Sequence, residues 1–353
     1  TAIDKRDADE LNTAEGKDLL AQIKAMGTPI CVLTGGDPLQ RDDLEELIEE
    51  GTRLGMRMAT IPAATERLTR ERLTSLRDAG VAQIAFSLDA AEAEPHDSFR
   101  GVPGSFDRTI EAARTVHELG VPLQINTVLG PWNQHQVFEM AELVEDLGVS
   151  FWEVFLLVPV GRGETAGTLR GGLVEHLFEQ LHDVARRVDF VVKVAEAPHY
   201  RRFVMTREFE ERADTEGLQV SLTRLLERPT GPRASIGHAP RSVNAGRGFC
   251  FVNYRGEVMP SGFLPITAGN VREAPLADLY RDSELFQSMR DPSLLKGRCG
   301  RCEFSFVCGG SRSRAFAVTG DPLAEDPWCA YKPGSADPAL VALSGRMTSV
   351  MGS

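Results

Sequence analysis

Four cysteines near the end of the chain carry the clearest chemical signal, spaced Cys299-x2-Cys302-x5-Cys308-x20-Cys329. Four thiolates with two close spacings suit a tetrahedral zinc site or a [4Fe–4S] cube equally well in charge and softness. A disulfide framework is the poorer reading, because such frameworks belong to exported chains and the stretch TAIDKRDADE is not a signal peptide. Cys250 follows Gly248 in an extended run and reads as a buried thiol or a fifth ligand, while Cys31, in the middle of ICVL, reads as core.

A second set of polar groups falls where apolar runs end. Thr34-Gly35-Gly36-Asp37-Pro38 follows one such run, and two glycines let a ligand approach the backbone and its free N–H groups. Ser87 and Asp89 end a second run, Asn126 lies near the end of a third, and Val158-Pro159-Val160-Gly161-Arg162-Gly163 closes a fourth. Each reads singly as a loop cap or a ligand contact; together they favour a site, since parallel sheets place their sites at the C-terminal strand ends. The run Glu196-Ala-Pro-His-Tyr-Arg-Arg202 gathers His199, Tyr200, Arg201 and Arg202, which suits carboxylate binding or a solvated basic turn.

The elements that must position these groups alternate along the first two-thirds of the chain. Helical periodicity begins near Thr13, and strands are predicted at Ile30–Leu33, Arg57–Ile61, Ala82–Leu88, Leu123–Val128 and Trp152–Val158. Helices fall between them, mostly ending at Gly55, Gly80, Gly120 and Gly148. Residues 173–187 read as helical and 190–195 as extended. The pattern is α/β, a parallel β/α barrel or a doubly wound sheet. The series starts on a helix without a strand before it, which predicts that a first strand of the natural protein is missing here. Residues 1–227 form the barrel-like part with its following strand, 228–248 a Gly-, Pro- and Arg-rich linker, and 249–353 a small irregular cysteine-rich domain opening on a hairpin around Tyr254-Arg-Gly. The 353 residues are 42% hydrophobic, enough for a sizeable core. Against 51 acidic residues stand 39 Lys and Arg, a net charge of −12, which argues against a nucleic-acid binder. No apolar run approaches the ~20 residues of a membrane span, and a cytoplasmic location is expected.

These motifs in this order resemble the radical S-adenosylmethionine (SAM) enzymes. GGDP at 35–38 is similar to their Gly-Gly-Glu motif, SLDA at 87–90 to their ribose-contacting strand end, and HDSFRG at 96–101 to a motif that follows it. The C-terminal part resembles the SPASM/Twitch auxiliary-cluster extension through Cys250-x5-Gly256, the pair Gly269-Asn270, LADLYRDSELFQSMRD at 276–291 and the four-cysteine set. The cysteine spacing is especially like that of the radical SAM enzymes of haem d1 and alternative haem synthesis. The resemblance implies a partial (β/α)6 barrel that binds SAM and a [4Fe–4S] cluster, generating a 5′-deoxyadenosyl radical that abstracts hydrogen from substrate. It also implies an oxidoreductase or lyase served by an electron donor such as flavodoxin or ferredoxin. By the same resemblance Gly35, Gly36 and Asp37 hold the methionyl amino end. Ser87 and Asp89 touch ribose or carboxylate, Arg100 serves the SAM carboxylate, and Asn126 with Val158 meets ribose and adenine. Cys299, Cys302, Cys308 and Cys329 ligate one auxiliary [4Fe–4S] cluster.

Two departures stand out. The family's CxxxCxxC loop, which holds the radical-generating cluster, is not in this sequence and is expected upstream of the first helix. Fuller SPASM domains carry cysteines where this chain has Ser261 and Arg312, which implies a single auxiliary cluster and leaves Cys250 without a role. For substrate, the expectation is a tetrapyrrole side chain whose propionates meet residues 199–202. The alternatives are a ribosomal peptide to be matured, or a non-catalytic protein holding an Fe–S or zinc centre.

Overall fold

The computed structural model describes residues 7–169, 171–216, 243–342 and 344. Of the expected linker 228–248, residues 228–242 lie outside the described residues. Six strands form one sheet in sequential order: β1 Ile30–Leu33, β2 Arg57–Thr60, β3 Gln83–Ser87, β4 Leu123–Leu129, β5 Phe151–Leu156 and β6 Val191–Ala195. Every neighbouring pair is parallel. The result is a half-barrel. The extended run at 190–195 joins this same sheet as its last strand.

The helices are α1 Thr13–Ala25, α2 Leu44–Arg53, α3 Arg70–Asp78, α4 Ala93–Arg100, α5 Ser105–Glu118, α6 Val137–Asp146, α7 Gly171–Arg187 and α8 His199–Glu216. Local chemistry starts and stops them. Asn12 and Glu15 close a reciprocal capping box on α1, and Thr69 caps α3. Gly55 and Gly80 sit just past α2 and α3 with φ of 76° and 90°, a region that costs other residues a steric penalty. Two helices escaped the sequence reading: α4, within the stretch that carries HDSFRG, and α8, which begins at His199 where only a polar run was expected.

Strand alternation gives the sheet two unlike faces. Ile84, Phe86, Ile125, Trp152, Val154 and Leu156 point toward the helices and merge with α2, α5, α6 and α7 into the main core. The intervening residues, among them Ser87, Gln124, Asn126, Glu153 and Lys193, point to the other face. Among the described residues no helix is long and apolar enough to cross a membrane.

After residue 243 the chain builds short elements: the hairpin β7 Phe251–Val252 and β8 Val258–Met259, then α9 Leu276–Asp282, α10 Glu284–Arg290, the single turn α11 Gly297–Gly300 and α12 Arg312–Thr319. This region reaches back to the start of the chain. Arg272 pairs with Glu15 at 2.7 Å, Leu11 N–H donates to the Tyr254 carbonyl at 2.8 Å, and Leu276 N–H donates to Gln22 Oε1 at 2.8 Å. Residues 243–248, expected within the linker, are folded: Asn244 Nδ2 donates to the Gly310 carbonyl at 2.9 Å.

One fully buried ion pair joins the two parts. Arg314 on α12 lies 3.1 Å from Asp326, and neither side chain is exposed. The same guanidinium donates to the carbonyls of Leu156 and Leu157 at the end of β5 and of Glu196 just after β6, and lies over the Trp328 ring. Desolvating two charges is costly, and only this full set of partners offsets it. Arg314→Leu, which strands Asp326, should lower the unfolding free energy by about 3–5 kcal/mol in urea titrations.

Candidate functional site

Cys299, Cys302, Cys308 and Cys329 line one cavity together with Phe304, Gly310, Asp326 and Tyr331. The spacing explains the convergence: Cys299 sits on the turn α11, Cys302 and Cys308 flank a tight coil around Phe304, and Cys329 returns after the Asp326 turn. Each thiol faces a backbone donor. Asp326 N–H points to Cys299 Sγ at 3.4 Å and Gly310 N–H to Cys308 Sγ at 3.3 Å. The N–H groups of Phe304 and Tyr331 serve Cys302 and Cys329. Arg312, itself fully buried, adds a guanidinium 3.8 Å from Cys299 Sγ. Burial pushes the Cys302 and Cys329 thiols up to about 11 and raises Cys308 as well. Among the described residues no three His, Cys, Asp or Glu side chains form a group that could hold a metal ion. The four thiols line the same cavity.

Cys250 is not part of this lining. It packs against the cluster of Val258, Leu276 and Phe286 and lies close enough to Cys31 to perturb it, and burial raises both thiols to about 11. Both are inert core thiols in this arrangement.

The strand-end residues divide into two groups. Gly35 and Gly36 are exposed at the end of β1, Gly35 has φ of 139°, and nothing lies within 4 Å of where a side chain on it would begin. Their backbone is open to a ligand. Asp37 is not, because Oδ1 accepts the N–H groups of Leu39 and Ala63 and Oδ2 the hydroxyl of Thr65. It ties the β1 turn to the loop after β2. Asp89 is fully buried. It pairs with Arg100 from α4, accepts the Val128 N–H at 2.8 Å, and gives its own N–H to His96 Nδ1 at 3.0 Å. In this structure the Asp89 carboxylate braces the ends of β3 and β4 and meets no open space. Ser87 and Asn126 are register partners on the face away from the helices, and Asn126 Oδ1 accepts from Gln124 at 2.6 Å. Val158 is buried, and its carbonyl accepts the Val160 N–H at 2.8 Å.

The basic run corrects an expectation. Residues 199–202 are neither a solvated turn nor an open carboxylate cradle, because α8 begins there and packs under the cysteine region. Arg201 donates to the carbonyls of Val243 and Val307, and burial lowers it to about 10. Arg202 pairs with Glu175 and lies 4.9 Å from the Tyr331 ring centre. Tyr200 packs against Phe178 and Phe203. His199 is buried with no hydrogen-bond partner on either ring nitrogen, 3.8 Å from Asp326. Sequence reasoning missed Arg314, Asp326 and Glu196. Glu196 is buried with its carboxylate between the hydroxyls of Ser311 and Ser313. The Ser311-Arg-Ser-Arg314 run was the available signal.

Comparison with known proteins places this geometry. The Radical SAM superfamily model matches residues 2–144. The AdoMet-dependent heme synthase of Methanosarcina barkeri (strain Fusaro / DSM 804) is 38% identical over 327 residues, covering 93% of this chain and 89% of that protein. The pre-heme d1 synthase of Dinoroseobacter shibae is 28% identical, over 91% of this chain and 80% of that one. Among solved structures, Streptococcus suis SuiB bound to S-adenosylmethionine shares the fold, with a TM-score of 0.65 and 18% identity over 93% of this chain and 72% of that one.

The buried histidine gives the junction a measurable pH signature. Burial lowers His199 from 6.5 to about 4, so its contribution to stability is full above pH 6.5 and lost as pH falls toward 4. Between pH 6.5 and 5 this amounts to about 2 kcal/mol. His199→Leu should flatten the acid limb of stability against pH by about one proton, read from denaturant titrations across that window.

Proposed function

Since this chain belongs to the radical SAM superfamily, we propose that it is an enzyme of haem-type cofactor synthesis acting on a side chain of a tetrapyrrole. The observation that carries this reading is the likeness to the Methanosarcina heme synthase, which runs through the half-barrel and the cysteine-rich part alike. Bound SAM, with a reduced [4Fe–4S] cluster, supplies hydrogen-atom abstraction in this family. No CxxxCxxC loop for that cluster occurs within residues 1–353.

The open backbone at Gly35 and Gly36 suits the amino end of SAM, and Ser87 with Asn126 offers polar groups at neighbouring strand ends. Asp37, Asp89 and Arg100 act by fixing those loops. Cys299, Cys302, Cys308 and Cys329 suit an auxiliary [4Fe–4S] cluster. Four thiols surround one cavity, each with a backbone N–H aimed at its sulfur, and such hydrogen bonds tune cluster potentials. Burial raises the Cys302, Cys308 and Cys329 thiols, and binding of iron there would displace their protons. An external donor of the flavodoxin or ferredoxin class would deliver electrons, and a cytoplasmic, reducing compartment suits four free thiols.

Anaerobic reconstitution of this chain with iron and sulfide should give about four irons per chain and visible Fe–S absorption. Cys308→Ser should lose most of both; zinc retained without iron would overturn the cluster assignment. For the reaction, the natural protein should release 5′-deoxyadenosine with a side-chain-altered tetrapyrrole, read by mass spectrometry. Turnover only on a peptide would exclude the tetrapyrrole reading.

A further inference from the structure

The face of the sheet turned away from the helices carries a polar row of which the reading above uses only Ser87 and Asn126. Ser87, Asn126, Glu153 and Lys193 are successive register partners across β3, β4, β5 and β6. Register partners in a pleated sheet point to the same face. Four adjacent strands at about 4.8 Å spacing put Ser87 and Lys193 about 14 Å apart. The row is internally wired. Lys193 Nζ lies 2.6 Å from Glu153 Oε1, and Gln124 Nε2 donates to Glu153 Oε2 at 3.0 Å as well as to Asn126. Gln83 in turn donates to Gln124. Glu153 is thus held on both oxygens and is only 14% exposed, whereas Lys193 is 37% exposed and forms the outer end of the chain.

Two residues along β5 on the same face stands Phe155, in edge contact with Phe263 at 6.3 Å between ring centres. Phe263 comes from the segment after β8 and is 39% exposed. An ammonium group on the same sheet face as an exposed aromatic edge matches a ligand with a flat apolar body and carboxylate arms.

We propose that Lys193 anchors a non-reacting carboxylate of the tetrapyrrole, with the macrocycle edge against Phe155 and Phe263 and the reacting arm toward Asn126. The inference rests on the tetrapyrrole reading and names the recognition group within it. The arriving carboxylate takes the ammonium from Glu153, which keeps its bond to Gln124. Glu153 therefore competes with the ligand, and Lys193 attracts it.

That competition separates recognition from a merely structural cross-strand pair. Binding of coproporphyrin III and of its tetraamide to the reconstituted chain is measured by absorption titration. The wild type should favour the carboxylate form. Lys193→Met should weaken coproporphyrin binding about tenfold and erase the preference, Lys193→Arg should retain it, and Glu153→Gln should tighten binding about threefold. Weakening by both Lys193→Met and Glu153→Gln marks a structural pair and overturns the inference. So does equal affinity of the wild type for carboxylate and amide, which leaves the tetrapyrrole reading standing. Failure of the wild type to bind either porphyrin overturns both.

Discussion

A buried guanidinium governs how this chain is assembled. Arg314 satisfies its charge on Asp326 and its remaining donors on the carbonyls of Leu156, Leu157 and Glu196, so the cysteine-rich region is keyed to the ends of β5 and β6. Burial pushes the Asp326 carboxyl up, but Arg314 and His199 outweigh it and hold it below its ordinary value. The same Asp326 turns its backbone N–H to Cys299, and Arg312, two residues before Arg314, reaches that same sulfur. The joint between the two parts and the wall of the thiol cavity are therefore one structure. The thiol cavity is thereby fixed with respect to the half-barrel by hydrogen bonds to backbone, which tolerate little displacement.

The half-barrel supplies the other side of that arrangement by giving its two faces different chemistry. Large apolar residues on alternate positions are covered by helices, while the opposite face keeps Ser87, Gln124, Asn126, Glu153 and Lys193. Buried polar groups need partners, and here they find one another across strands. At the strand ends the division of labour is equally physical. Glycine leaves its backbone open at Gly35, Asp37 holds the turn around it, and Asp89 braces the ends of β3 and β4.

Much of this was legible before any coordinates. Strand periodicity gave β1 to β5 in order, capping residues gave the helix ends, and the cysteine spacing pointed to one cavity. Motif order gave the family, which the likeness to a heme synthase bears out. What periodicity cannot report is which polar residues are buried. Residues 199–202 look like a solvated turn because Arg and His are usually exposed, yet a second region folds over them and leaves Arg202 at 7% and His199 at 1% exposure. Asp89 reads as a ligand contact by position. Its partner Arg100 lies eleven residues on, on a helix the periodicity did not reveal, so its bracing role was hidden.

The contacts from Arg272 to Glu15 and from Leu276 to Gln22 join segments more than 250 residues apart. A ribosome delivers the chain from its N-terminus, so α1 emerges early but finds these partners only after the hairpin and α9 have been made. Pairing across such separations is slow. The early half-barrel must wait with that edge uncovered, and surface exposed in that interval is open to misassembly until the later segment arrives.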